Sequence, residues 1–146
     1  MSEQATQAAA AAAAKRPLPR EGAYVDTRPF WEGVAQNRLL LQYCTVAQKF
    51  QHYPRPVSIY TGRRTLEWRE VSGDGVIYAF TTVRIPGPGL EGRLPLCVAT
   101  VELDEGVRMI ANILDCAPED LAIGKRVKLA WDLLSEDKKY PAFKLV

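Results

Sequence analysis

A mainly β protein is predicted: a short amino-terminal helix, an irregular segment rich in Pro, Tyr and Arg, then a five-stranded barrel. Three observations predict it. Apolar residues fall at helical spacing just after Thr27-Arg28-Pro29, and beyond Thr65 the pattern changes to period two, with β-branched and aromatic runs separated by turn residues. The third is composition: 146 residues, 47% hydrophobic and 25% charged, are enough to fill one ordinary core.

Before the helix, Met1–Arg20 is a low-complexity tail dominated by the run Ala8–Ala14. Alanine favours helix, but an isolated helix this short is marginal in water, so a disordered tail is expected, with the fold beginning near Glu21. Thr27 caps and Pro29 opens the helix, whose apolar face is Phe30, Trp31, Val34 and Ala35 and which ends near Asn37. Arg38–Tyr43 reads as a strand, and Cys44–Thr65 as the irregular segment. Trp68 and Val71 lead into the turn Ser72-Gly73-Asp74-Gly75. The barrel strands follow: Val76–Val83, Leu96–Leu103, Val107–Leu114, Arg126–Leu134 and Tyr140–Val146, with a helical turn at Pro118–Leu121 between the third and fourth. That is the layout of an OB barrel, and the strand count is low for a β-sandwich. The expected division is 1–20 tail, 21–65 helix and irregular segment, 66–146 barrel.

Charge narrows the functional classes. The net charge of +2 resides in residues 1–20, where Lys15, Arg16 and Arg20 oppose Glu3, and the rest of the chain is neutral. A neutral body argues against a protein that grips phosphate backbones. No run approaches the roughly 18 apolar residues of a membrane span. Three cysteines, Cys44, Cys97 and Cys116, are too few and too odd in number for a disulfide scaffold, so a reducing, cytoplasmic setting is expected.

No catalytic set emerges. Gly87-Pro88-Gly89-Leu90-Glu91-Gly92 spells a dinucleotide loop, but such a loop must open a helix, and here Pro86, Pro88 and Pro95 surround it and a strand follows; it reads as a mobile loop. His52 is the single histidine, with no Gly-x-Ser-x-Gly elbow to pair it with a nucleophile. Cys97 lies in an apolar strand as a small hydrophobe. Arg55, Arg63 and Arg64, with Tyr53 and Tyr60 between them, form the one basic and aromatic cluster of the body. It suits coenzyme phosphates, a nucleic acid, the acidic rim of a partner protein, or simply a solvated loop.

Several segments together, Pro29–Gly33, Arg38–Cys44, Pro54–Val57, Trp68–Gly75, Val101–Val107, Pro118–Leu121 and Ile123-Gly124, resemble one family over nearly all of residues 28–134. It is the acyl-CoA-associated family, long catalogued as a domain of unknown function, that joins a rubredoxin-like zinc ribbon to an OB fold. The resemblance implies four ligand positions for one zinc, at Cys44, Ala47, Ser58 and Thr61, of which only the first is still a cysteine. A degenerate ribbon without metal is therefore expected, shaped by packing of Phe50, Tyr53 and Tyr60.

The resemblance further implies a non-catalytic accessory subunit of a thiolase-superfamily enzyme that makes or breaks carbon–carbon bonds in acyl-CoA thioesters, of thiolase or aldolase type, in steroid or aromatic catabolism. Phe30, Trp31, His52, Tyr53, Arg55, Arg63 and Arg64 are the candidates for contact with a thiolase-like large subunit or its coenzyme A ester, with the Pro86–Pro95 loop nearby. The chain binds no cofactor or zinc of its own on this reading, and its partners include no nucleic acid and no membrane. The competing readings are an OB-fold binder of single-stranded nucleic acid, with Tyr78, Phe80 and Trp131 stacking on bases, and a free-standing thioester carrier or hydrolase acting through His52.

Overall fold

The computed structural model describes residues 24–133 and 138–146. The alanine-rich tail and the expected start of the fold near Glu21 lie outside them. Helix α1 spans Arg28–Ala35 with Pro29 in its first turn, as expected. Thr27 stands at its cap position, but its hydroxyl donates to the Tyr24 carbonyl (2.8 Å) and not to the helix. The helix stops where Gln36 and Arg38 N–H both turn back to the Gly33 carbonyl. Gly33 is required there: a Cβ would stand 2.7 Å from Leu40 Cγ, so the helix can rest on the next strand only without one.

That strand, β1 (Leu40–Cys44), is the centre of a small antiparallel sheet, flanked by β2 (Lys49–Gln51) and β3 (Leu66–Glu70). Gln42 lies opposite both Gln51 and Trp68. The irregular segment expected over Cys44–Thr65 thus contains a strand, too short at three residues to show alternation.

The second sheet is the predicted barrel: β4 (Gly75–Val83), β5 (Leu96–Leu103), β6 (Arg108–Asn112), β7 (Arg126–Leu133) and β8 (Lys139–Leu145), in the order β6-β5-β4-β7-β8. A bridge between Ile113 and Phe143, with Leu114 N–H donating to the Phe143 carbonyl (2.8 Å), brings β6 to β8 and nearly closes the ring. The helical turn between third and fourth strands is a 3-10 turn at Pro118–Asp120. This is an OB-like barrel preceded by one helix.

A single cluster of buried residues runs from Phe30, Val34, Leu39 and Leu41 into Ile77, Val101, Val127 and Phe143 of the barrel. Helix, small sheet and barrel therefore share one core, each large apolar side chain contributing roughly 1.5–3 kcal/mol of burial.

The loop from Pro86 to Pro95 is not free along its length. A 3-10 turn at Glu91–Arg93 places the Arg93 guanidinium on both oxygens of Asp132 at 3.0 Å, and Asn112 Nδ2 donates to the same carboxylate at 2.8 Å. Asp132 is 5% exposed, so its charge is held by partners and not by water. The glycines precede no helix, and β5 follows them. Among the described residues no helix is long and apolar enough to cross a membrane.

Candidate functional site: a junction of helix, small sheet and barrel

Four of the seven predicted contact residues converge. Phe30 and Trp31 pack edge to face at 5.2 Å on α1, and Trp31 meets Tyr140 of β8 at 5.4 Å. His52 follows β2, its ring 6.2 Å from Phe30 and 4.1 Å from Tyr53. With Thr27, Pro54, Met109 and Ile110 these residues line a cleft of about 130 Å³. Phe30 is buried and fixes the floor, Trp31 and His52 are half-buried, and Tyr53 stands 56% exposed at the rim.

The cleft does not end at its rim. Ile110, 60% exposed on β6, also lines a shallow groove of about 270 Å³ across β4, β5 and β6, with Phe80, Val98 and Thr100. Tyr78 and Phe80 are partly exposed on the outer face of β4. Ile110 is thus shared by cleft and groove, and links the apolar lining of one to that of the other.

Arg55, Arg63 and Arg64 are all exposed. Arg55 adjoins the cleft through Pro54, while Arg63 and Arg64 occupy the loop before β3. Two buried glutamines hold this loop system. Gln42 Nε2 donates to the Arg55 carbonyl (2.8 Å) and its Oε1 accepts the Arg55 N–H (2.8 Å). Gln51 donates to Gln42 Oε1 (2.9 Å) and to the Val57 carbonyl (3.3 Å), and accepts the Ile59 N–H (2.9 Å). Of the three residues expected to pack here, Phe50 lies edge-on to Tyr43 at 4.9 Å, Tyr60 contributes through its hydroxyl, which donates to the Phe50 carbonyl at 2.7 Å, and Tyr53 stands at the cleft rim.

His52 and Cys116 are both held in their neutral forms. Burial lowers the His52 imidazole from its ordinary 6.5 to about 4, so it is neutral at pH 7, and its buried Nδ1 has no hydrogen-bond partner. Burial first, then the neighbouring Cys97 thiol, pushes Cys116 up to about 11, leaving it protonated and a weak nucleophile. Cys97 donates to the Cys116 carbonyl at 3.4 Å and is buried as predicted. The stacking candidates are partly occupied: the Arg108 guanidinium lies 3.5 Å over the Tyr78 ring, and the Lys139 ammonium 5.8 Å from that of Trp131.

His52 gives a pH signature. Its folded value lies below its unfolded one, so its neutral form costs nothing above pH 6.5, and stability falls from there towards pH 4 as the unfolded chain takes up the proton. Urea unfolding at pH 7 and pH 5 is expected to show a loss of about 2 kcal/mol in the native chain that His52→Gln lacks.

The four positions implied for zinc do not fit that metal. Cys44 is fully buried, but Ala47 offers a methyl group and Ser58 and Thr61 offer hydroxyls. One thiolate with two neutral hydroxyls is not a structural zinc donor set. Among the described residues no group of three or more His, Cys, Asp or Glu could hold a metal. Burial raises the Cys44 thiol, yet hydrogen bonds from Ser58, Thr65 and the Ala47 and Val46 amides outweigh it and lower it from 9.0 to about 7.

The reading from sequence missed Thr27, Pro54, Met109, Ile110 and Tyr140 in the cleft, and Gln42, Gln51 and Thr65 in the small sheet and its loop. Ile110 had a signal: it is an apolar residue at the outward, polar phase of its strand.

Comparison with known proteins adds the following. Residues 68–132 match the family described as ChsH2, C-terminal OB-fold domain. A probable enoyl-CoA hydratase alpha subunit of Thermomonospora curvata is 30% identical over 86% of this chain and 39% of its own length. A DUF35 domain-containing scaffold protein of Methanocaldococcus jannaschii is 36% identical over 51% of this chain and 55% of its own. The chain therefore spans little more than half, or less, of these curated relatives. A chain of the solved Ltp2-ChsH2(DUF35) aldolase superposes with a TM-score of 0.78 at 30% identity, covering 86% of this chain and 98% of that one.

Proposed function

This chain belongs to the DUF35 family of OB-fold proteins, and from that membership we propose that it is a non-catalytic accessory subunit of an acyl-CoA-processing complex. The large subunit in this reading is a thiolase-superfamily protein that supplies the nucleophile or general base for carbon–carbon bond cleavage or formation. The observation that carries it is the apolar surface centred on Ile110, which joins cleft to groove on three elements. Aromatic side chains set rigidly in a partly desolvated pocket are the usual anchors of protein association. The neutral His52 and protonated Cys116 support a supporting role, since neither is poised for nucleophilic or acid–base chemistry at pH 7.

The names of relatives support the acyl-CoA setting: a probable enoyl-CoA hydratase alpha subunit, a scaffold protein and a chain of an aldolase. Arg55, Arg63 and Arg64 sit where they would attract the phosphates of coenzyme A at the edge of the docked surface. The subunit then stabilises the larger protein and walls the channel for its acyl or pantetheine chain.

The test is co-purification. Tagged full-length chain expressed in its source organism is expected to elute in one peak with a thiolase-superfamily subunit, identified by mass spectrometry. Elution as a monomer without such a companion, or turnover of a coenzyme A ester by the pure chain alone, overturns the reading.

A further inference from the structure

The two turns that carry Cys44 and Ser58 are built alike. In the first, Gln48 N–H donates to the Cys44 carbonyl (2.8 Å), Ala47 N–H donates to the Cys44 sulfur (3.4 Å), and Gln48 has φ +54°. In the second, Gly62 N–H donates to the Ser58 carbonyl (2.8 Å), Tyr60 N–H donates to the Ser58 hydroxyl (3.1 Å), and Gly62 has φ +66°. Each is a turn closed from its fifth residue to its first, with a left-handed fifth residue and an amide aimed back at the first side chain. A non-glycine residue is uncommon in that region, so Gln48 holds it because the turn demands it. Amides aimed at a side chain in this way suit a thiolate better than a hydroxyl.

Thr65, at none of the four positions implied for a metal, joins the two turns. Its hydroxyl lies 3.3 Å from the Cys44 sulfur and 3.1 Å from the Thr61 hydroxyl. Its carbonyl accepts the Thr45 N–H at 2.9 Å, tying the start of the first turn to the same residue. The first residue of the second turn and the loop beyond it are tied by Ser58 N–H to the Arg63 carbonyl at 2.9 Å.

We propose that this partly buried cluster, with the Thr65 hydroxyl as its hub, is a metal-free clasp that does the cross-linking a tetrathiolate metal would do, and that the surrounding frame remains a four-ligand site which Ala47→Cys, Ser58→Cys and Thr61→Cys together convert to metal binding. The inference concerns the small sheet itself and is independent of the chain's partner. It gives Thr65 a role that its position in the sequence does not suggest. It also explains how two turns shaped for thiolates persist with one sulfur between them: hydroxyls that bond one another need no ion.

The experiment uses the full chain and Co²⁺ as the probe, because a tetrahedral tetrathiolate site gives it intense visible and near-ultraviolet bands. The native chain is expected to show no such bands and an unchanged thermal midpoint with chelator. The triple variant, refolded with Co²⁺, is expected to show them at one equivalent and to regain the far-ultraviolet circular dichroism of the native chain. In the native background Thr65→Val is expected to lower the midpoint by about 3 °C or more while Thr65→Ser does not. In the cobalt-loaded triple variant Thr65→Val is expected to be tolerated. A native chain that binds Co²⁺ through Cys44, a triple variant lacking the bands whether folded or not, or a harmless native Thr65→Val each overturns the proposal.

Discussion

Ile110→Glu is expected to weaken association with the large subunit at least about 100-fold while moving the thermal midpoint of the isolated chain by no more than about 2 °C. The asymmetry follows from where the side chain stands. Ile110 is 60% exposed in the isolated chain, so a carboxylate there stays in water and disturbs little of the core. In the complex the same carboxylate would be stripped of water between cleft and groove with no cation among the groove-lining residues Ala79, Phe80, Thr81, Val98, Ala99 and Thr100. An uncompensated buried charge costs several kcal/mol, so a loss near 3 kcal/mol of binding is a conservative expectation. Titration calorimetry of native and variant chains against the purified large subunit measures it. Equal affinities would place the docking surface elsewhere on the molecule.

Gln51→Leu is expected to cost about 3 kcal/mol of unfolding free energy, close to the largest effect any single polar residue of the small sheet can have. Gln51 is 2% exposed and serves three partners: Gln42 Oε1, the Val57 carbonyl and the Ile59 N–H. Leucine fills the space but leaves the latter two backbone groups, both partly buried, without their bond. Urea unfolding followed by tryptophan fluorescence reads the loss. A cost below about 1 kcal/mol would mean that the Gln42 bonds to Arg55 and packing hold the loop without Gln51.

The barrel was legible because its strands announce themselves. Leu96–Leu103 alternates half-buried and buried residues along its whole length, and Asp104-Glu105-Gly106 turns the chain between β5 and β6. Helix α1 was legible through Pro29 and the Phe30/Val34 stripe. The small sheet was legible only in its central strand, expected over Arg38–Tyr43 and found as β1. β2 is three residues long, and the order of the chain after it depends on Gln42 and Gln51, whose amides could equally have faced solvent. Periodicity reports which face is apolar, but it cannot report that a polar side chain turns inward to serve the backbone.

The candidate site was half legible for a related reason. Phe30 with Trp31 and His52 with Tyr53 come as neighbouring pairs in two short segments of distinctive composition. Ile110 and Tyr140 come from β6 and β8, distant along the chain, and reach the cleft only through the barrel's near closure at Ile113 and Phe143. Arg55, Arg63 and Arg64 all stand on the one connection between β2 and β3, where Gln42 holds the Arg55 backbone from both sides, a bond that periodicity does not announce.

The Arg93–Asp132 contact divides its loop unequally. Residues beyond Glu91 are anchored to the barrel wall, whereas Arg84, Ile85, Pro86 and Pro88 are solvent-facing and bonded to nothing buried. The practical result is a natural graft point: a fluorophore or short epitope inserted between Pro88 and Gly89 would leave the pinned arm, and the barrel it braces, undisturbed.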